Sequence, residues 1–127
     1  MLDDVINNHK GTVIIDGHYA HDYKPKIDEV IVFVLRRAPW VLYDELEQRG
    51  YDEKKVWANI ESEMMGICSN EARENHDMVC EIDTTGLPLK EITTSIRRII
   101  EEKDSCPTEQ IDWLTHSRTI DLMKERR

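Results

Sequence analysis

The chain has 127 residues, of which 39% are hydrophobic, which suits one domain with a modest core. Its formal net charge of −9 argues against non-specific binding to DNA or RNA, although local clusters of basic residues leave room for single phosphate sites. The sequence contains neither the long apolar run of a membrane span nor a signal peptide. The three cysteines are odd in number and lack metal-ligand spacing, which predicts reduced thiols in a cytoplasmic protein.

The first half of the chain predicts a short helix, two strands and two longer helices. The second strand is a continuous apolar run, as in a strand that is covered on both faces. Pro39 lies in the first turn of the next helix, where its missing N–H is tolerated. The last helix of this half has apolar residues at spacings of three and four. The predicted bounds are 2–8 for the short helix, 12–16 and 29–35 for the strands, and 38–49 and 51–75 for the longer helices.

The second half predicts a strand at 78–83, a turn at 84–86, and helices at 88–102 and 109–124 that are joined by a linker at 104–107. Strands that alternate with helices, without hairpin turns, predict an α/β fold with a parallel sheet flanked by helices. Ligands of such sheets bind beyond the carboxyl ends of the strands. Three of these ends carry polar residues, namely Asp16-Gly17-His18, Arg36-Arg37 and 83–86.

Asp16 and His18 are the first candidates for chemistry. A carboxylate at the tip of an apolar strand has the form of a Walker B acid, which holds magnesium through water. His18 could orient a water molecule or contact a phosphate. Strands also commonly end in Asp for the turn alone, and a half-exposed loop histidine is common, so the pattern by itself leaves structural roles open.

Arg49, Lys54 and Lys55 are the second candidates, because they place three cations at a helix–turn–helix junction. A helix N-terminus offers free N–H groups to an anion, and this combination suits a mobile lid over phosphates. The alternative is a solvated turn in which Asp52 and Glu53 pair with the lysines, and the residues alone favour that alternative.

Four segments together resemble the adenylate kinase isoenzyme 6 family, in order and in spacing. They are VIIDGH, VIVFVLRR, VLYDELEQRGYDEKKVWANIESE and EIDTTG, and the similarity runs from about residue 2 to about residue 102. The resemblance implies a P-loop-kinase-like sheet and a nucleoside-monophosphate kinase, an ATP:AMP phosphotransferase with ATPase activity, in the complete protein. It also implies ATP, AMP and Mg²⁺ as ligands, and a link to small ribosomal subunit maturation through a ribosomal protein.

The resemblance also implies roles for individual residues. Asp16 would serve the magnesium site through water, and His18 would support cleavage of the phosphate bond. Arg49 would lie near the ATP phosphates, with Lys54 and Lys55 in the same lid at about 49–56. The loop with Thr84, Thr85 and Gly86 would border the adenine and contact it largely through its backbone. Residues 1–103 would form the partial kinase-like domain, and 104–127 a linker and a C-terminal helix.

The sequence departs from the family at two points. No GxxxxGK[ST] motif occurs in the chain, which predicts a sheet without the P-loop strand and a chain that is inactive alone. The strands at 12–16 and 29–35, which would lie on either side of the P-loop strand, would then close up, or a second chain or segment would complete the sheet, or the sequence is a fragment. At position 45 a glutamate replaces the family's arginine, and its charge would repel phosphates. The alternative function is therefore an inactive, kinase-derived binding module for a ribosomal protein, with no direct DNA or membrane partner.

Overall fold

The computed structural model describes residues 11–17, 20 and 29–126 and shows a mixed α/β fold in these ranges. The two described strands pair in parallel, in a register that runs from Val32 opposite Val79 to Arg36 opposite Asp83. The parallel α/β prediction is thus confirmed for this pair. The elements are β1 Val32–Arg36, α1 Pro39–Gln48, α2 Glu53–Met65, α3 Ile67–Asn75, β2 Val79–Asp83, α4 Leu89–Glu101 and α5 Ser117–Glu125.

The strand predicted at 12–16 does not form. These residues lack regular structure, and Ile14 keeps 78% of its surface exposed. A strand needs a neighbour to satisfy its backbone groups, and in the described part of the chain β1 pairs with β2 alone. The helix predicted at 2–8 lies outside the described residues.

The single helix predicted at 51–75 is wrong, because the chain divides at Gly66 into α2 and α3. Gly66 has a φ of 62°, in the left-handed region, and ends α2 with a hydrogen bond from its N–H to the Glu63 carbonyl. A Cβ atom at this position would lie 3.0 Å from Nε2 of Gln110 and 3.7 Å from Nη1 of Arg36. Glycine therefore permits both the backbone turn and the close approach of these side chains.

The helix predicted at 109–124 is shorter than expected and spans Ser117–Glu125. The preceding residues instead follow the outer edge of β2. The Glu81 N–H donates to the Pro107 carbonyl at 2.9 Å, and the Ile111 N–H donates to Oε1 of Glu81 at 3.0 Å. Because these backbone groups bond to β2, they are not available for the first turns of a helix.

The larger apolar core joins α1, α2 and α5. Ile60 and Val56 are almost fully buried there, and Leu122 brings α5 against the same cluster. A smaller cluster of Val34, Ala72 and Val79 packs α3 against the sheet. The C-terminal helix is therefore part of the core. Within the described residues no helix is long and apolar enough to cross a membrane.

Cys80 and Cys106 form a disulfide, so the prediction of three reduced thiols is wrong. Their Cα atoms lie 5.4 Å apart, because the segment that carries Cys106 runs beside β2. Cys80 is fully buried, whereas Cys68 is exposed. Cysteine usage thus no longer supports a reducing compartment.

Candidate functional site

The carboxyl ends of β1 and β2 are held together by the loop that follows β2. The N–H and the hydroxyl of Thr84 both donate to the Arg36 carbonyl at 2.8 Å. Oγ1 of Thr85 accepts a hydrogen bond from the Ala38 N–H at 2.8 Å, just before α1. The loop predicted to border a ligand is therefore fixed against the start of α1.

Arg37 is the cation that lies where the carboxyl ends of β1 and β2 meet the loop after β2. Its Nη1 donates to the Thr84 carbonyl at 2.9 Å and lies 3.3 Å from the Thr84 hydroxyl. The opposite edge of the guanidinium binds Glu45 of α1, through Nε to Oε1 and through Nη2 to Oε2 at 3.1 Å. Both side chains remain about one-third exposed, at 33% for Arg37 and 37% for Glu45. The charge of Glu45 is thus balanced within the chain.

Arg36, the other half of the predicted Arg36-Arg37 strand end, does not face a ligand site. Its side chain is 1% exposed and forms ion pairs with the carboxylates of Glu63 and Glu81. Nε donates to Glu63 at 2.8 Å and Nη1 donates to Glu81 at 2.5 Å, while Nη1 also donates to the Ile111 carbonyl. The expectation fails because successive residues of a strand point to opposite faces, and Arg36 points into the core.

Glu81 is the second buried member of this network, and sequence reasoning missed it. Burial raises the pKa of the Glu81 carboxyl, but hydrogen bonds from Arg73, from the Ile111 N–H and from Arg36 lower it, and the net pKa lies below its usual value. The other carboxylate, Glu63, also accepts the Trp113 Nε1–H at 2.9 Å. The acid Glu81, which lies between the apolar residues Cys80 and Ile82 of β2, is the signal that could have indicated a buried basic partner.

The turn between α1 and α2 and the first turn of α2 carry the three predicted lid cations. Arg49 ends α1, Gly50 has a φ of 81°, and Asp52 caps α2 by accepting the Lys55 N–H at 2.8 Å. Lys55 Nζ lies 4.1 Å from the centre of the Tyr51 ring. Arg49 and Lys54 are exposed. Among the described residues, no hydrogen bond or ion pair joins these cations to the strand ends.

Asp16 lies in the irregular segment 11–17 and is exposed. No hydrogen bond or ion pair connects it to another described residue, those at the ends of β1 and β2 included. His18 falls outside the described residues. In the same described ranges, no group of three or more His, Cys, Asp or Glu side chains forms a metal cluster.

Comparison with known proteins identifies the family. Residues 2–66, half of the chain, match the family described as AAA domain. The chain belongs to the AAA domain family. This AAA domain chain is also similar to archaeal proteins that carry the name "Putative adenylate kinase", and the resemblance to adenylate kinases is confirmed at that level. The two parallel strands and the flanking helices are consistent with a P-loop-kinase-like fold.

Three relatives show the extent of the similarity. The Thermococcus gammatolerans protein is 34% identical over 101 residues, which cover 80% of this chain and 55% of the relative. The Saccharolobus solfataricus protein is 38% identical over 96 residues, or 75% and 48% of the two chains. The Archaeoglobus fulgidus protein is 36% identical over 106 residues, or 80% and 57%. The chain thus spans about half the length of the curated relatives it matches.

Proposed function

We propose that the chain is part of a nucleoside-monophosphate kinase, an ATP:AMP phosphotransferase with ATPase activity. The observation that carries the proposal is the hydrogen-bonded contact of Arg37 and Ala38 with the loop 84–86 at the carboxyl ends of β1 and β2. Ligands of parallel α/β sheets bind at such ends, and the family and the names of the relatives point to a nucleotide. The loop with Thr84, Thr85 and Gly86 would border the adenine, mainly through its backbone.

The lid in this proposal is the turn at about 49–56. The exposed Arg49 and Lys54 have no partner among the described residues and are free to neutralise phosphate charge, while Lys55 would leave the Tyr51 ring to do so. The kinase-like unit in this proposal comprises residues 1–103, and the linker and C-terminal helix of 104–127 pack against it through Cys106 and Leu122.

In this proposal Asp16 would hold Mg²⁺. The exposed Asp16 carboxylate supplies the oxygen ligand that Mg²⁺ prefers, and this ion commonly keeps several waters and takes one or two carboxylates together with substrate phosphates. When bound, the ion would neutralise charge that develops on the phosphates. His18 would support cleavage of the phosphate bond from the same segment.

The test is binding of ATP–Mg²⁺ to this chain by isothermal titration calorimetry. We expect the wild type to bind ATP–Mg²⁺. Asp16→Ala and Arg49→Ala should each weaken this binding at least about tenfold, since each removes a charged partner of the ligand. The matched controls are Asp121→Ala and Arg97→Ala, which change exposed residues of α5 and α4 whose side chains form no hydrogen bond or ion pair with another described residue, and these should leave binding unchanged. Binding that all four variants preserve would contradict the assigned site, and no binding by the wild type would contradict the proposal for this chain.

The finer assignment within the proposal is to the isoenzyme 6 group, with a cytoplasmic location and a role in small ribosomal subunit maturation. A second chain or segment would complete the sheet beside β1. The second candidate function, a binding module for a ribosomal protein, is favoured by Glu45, whose carboxylate takes up the Arg37 guanidinium. A pulldown with a purified basic ribosomal protein distinguishes the two, because the module should bind equally well with and without nucleotide, whereas nucleotide should alter binding by a kinase.

A further inference from the structure

We propose that Arg37 is an anion-binding residue of the strand-end site and that Glu45 is its internal competitor. The ligand class is a polyphosphate, and the inference rests on the proposed function in that a nucleotide would supply it. Arg37 is not among the cations that the sequence pattern assigned to the lid. It is the position of its guanidinium in the fold that singles it out.

The first argument is the placement of Arg37. It follows β1 directly, and Nη1 is anchored on the Thr84 carbonyl and hydroxyl at 2.9 and 3.3 Å. The guanidinium therefore stands where ligands of parallel sheets bind. Arg36 shows the contrasting case, because it is 1% exposed and is held by two internal carboxylates. Arg37, with 33% of its side chain exposed, remains within reach of a ligand.

The second argument is the edge that Glu45 occupies. Glu45 accepts hydrogen bonds from Nε and Nη2 of Arg37. This is the pair of donors with which arginine binds a carboxylate or a phosphate bidentately. A phosphate group could take over this edge while Nη1 stays on Thr84. Because both side chains of the ion pair are partly exposed, it is weak enough for such an exchange. Glu45 thereby holds the guanidinium in a phosphate-ready orientation and lowers its affinity for phosphate.

The rival interpretation is that the pair only clamps α1 to the sheet. Other contacts already do this, since the Ala38 N–H donates to Thr85 and Leu46 packs in the core. Neutralising Glu45 should then leave the fold intact, which circular dichroism and urea unfolding would verify for each variant.

The experiment measures binding of two probes, inorganic tripolyphosphate and ATP–Mg²⁺, by isothermal titration calorimetry. Glu45→Gln keeps the shape of the side chain and removes its charge, and we expect it to bind tripolyphosphate about fivefold more tightly than the wild type. Asp44→Asn is the matched control, because the neighbouring Asp44 is an exposed acid of α1 and its change removes the same charge. It should alter affinity less than about twofold. Combining Glu45→Gln with Arg37→Gln should abolish the gain.

Each outcome decides the inference. Absence of a gain in Glu45→Gln, an equal gain in Asp44→Asn, or a gain that survives Arg37→Gln would overturn it. If the wild type binds ATP–Mg²⁺ but Glu45→Gln changes nothing, the inference fails and the kinase proposal stands. If tripolyphosphate shows the expected pattern but no variant binds ATP–Mg²⁺, the inference stands and the nucleotide proposal fails. Binding of neither probe to any variant would contradict both.

Discussion

Replacement of Arg36 by methionine should destabilise the fold strongly. Arg36 is 1% exposed, and its loss removes the 2.5 Å hydrogen bond to Glu81 and the 2.8 Å hydrogen bond to Glu63. Glu81 would keep Arg73 and the Ile111 N–H as partners, but the buried Glu81 and the partly exposed Glu63 would lose the cation that they share. Breaking a buried ion pair by removing one partner costs about 3–5 kcal/mol, which is a large fraction of the stability of a domain of this size.

Arg73→Met is the matched control for this prediction. Arg73 donates to the other oxygen of Glu81 at 2.6 Å but is 31% exposed, so its loss should cost about 1 kcal/mol. The assay is urea unfolding followed by tryptophan fluorescence, and Trp113 reports on the network because its Nε1–H is bonded to Glu63. The dependence of the unfolding free energy on urea concentration must be the same in both variants for their stabilities to be compared. Equal losses in the two variants, or a loss below about 1 kcal/mol in Arg36→Met, would contradict the stabilising role of the buried Arg36.

Three further predictions concern stability and covalent structure. The pKa of Glu81 is lower in the folded chain than its usual 4.5, so its contribution to stability is present above that pH and is lost as the pH falls. The urea midpoint should therefore drop more steeply below about pH 5 in the wild type than in Glu81→Gln. Parallel curves of midpoint against pH would contradict this. The disulfide closes a separation of 26 residues, so Cys106→Ala should lower the free energy of unfolding by about 3.5 kcal/mol, and a thiol assay on the unreduced, denatured wild type should count one thiol, from Cys68, rather than three. Gly66→Ala should cost about 1–2 kcal/mol in urea unfolding, because its φ of 62° disfavours an L residue, and an unchanged midpoint would argue against the left-handed turn.

The sequence predicted the elements whose formation depends on local pattern. The position of Pro39 placed α1 within about a residue of its bounds, and β2 was predicted one residue too long. The failures occur where distant contacts decide. The chain turns at Gly66, where the side chains of Arg36 and Gln110 leave little room for a Cβ atom, and Pro107 and Ile111 bond to Glu81 of β2 instead of joining α5. No periodicity within one segment reports such contacts.

The candidate site was predictable in its general place and less so in its side chains. The rule that parallel strands present their carboxyl ends together predicted that the ends near Arg37 and Thr84 meet, and they do. The residue pattern did not distinguish the buried Arg36 from the half-exposed Arg37, because that depends on which face of β1 is covered. The partnership of Arg37 with Glu45 depends on how α1 returns over the strand end. The roles of Asp16 and His18 stay predictions.

The most direct test of a nucleotide site at the carboxyl ends of β1 and β2 is a ¹⁵N–¹H NMR titration of the chain with ATP–Mg²⁺. The account predicts that amide shifts concentrate at 37–38, at 84–86 and in the turn 49–56. The amides of Ser95, Arg98 and Asp104, which line an open groove beside β2, serve as an internal control that should not respond. Shifts confined to that groove, or no shifts at millimolar nucleotide, would contradict the account.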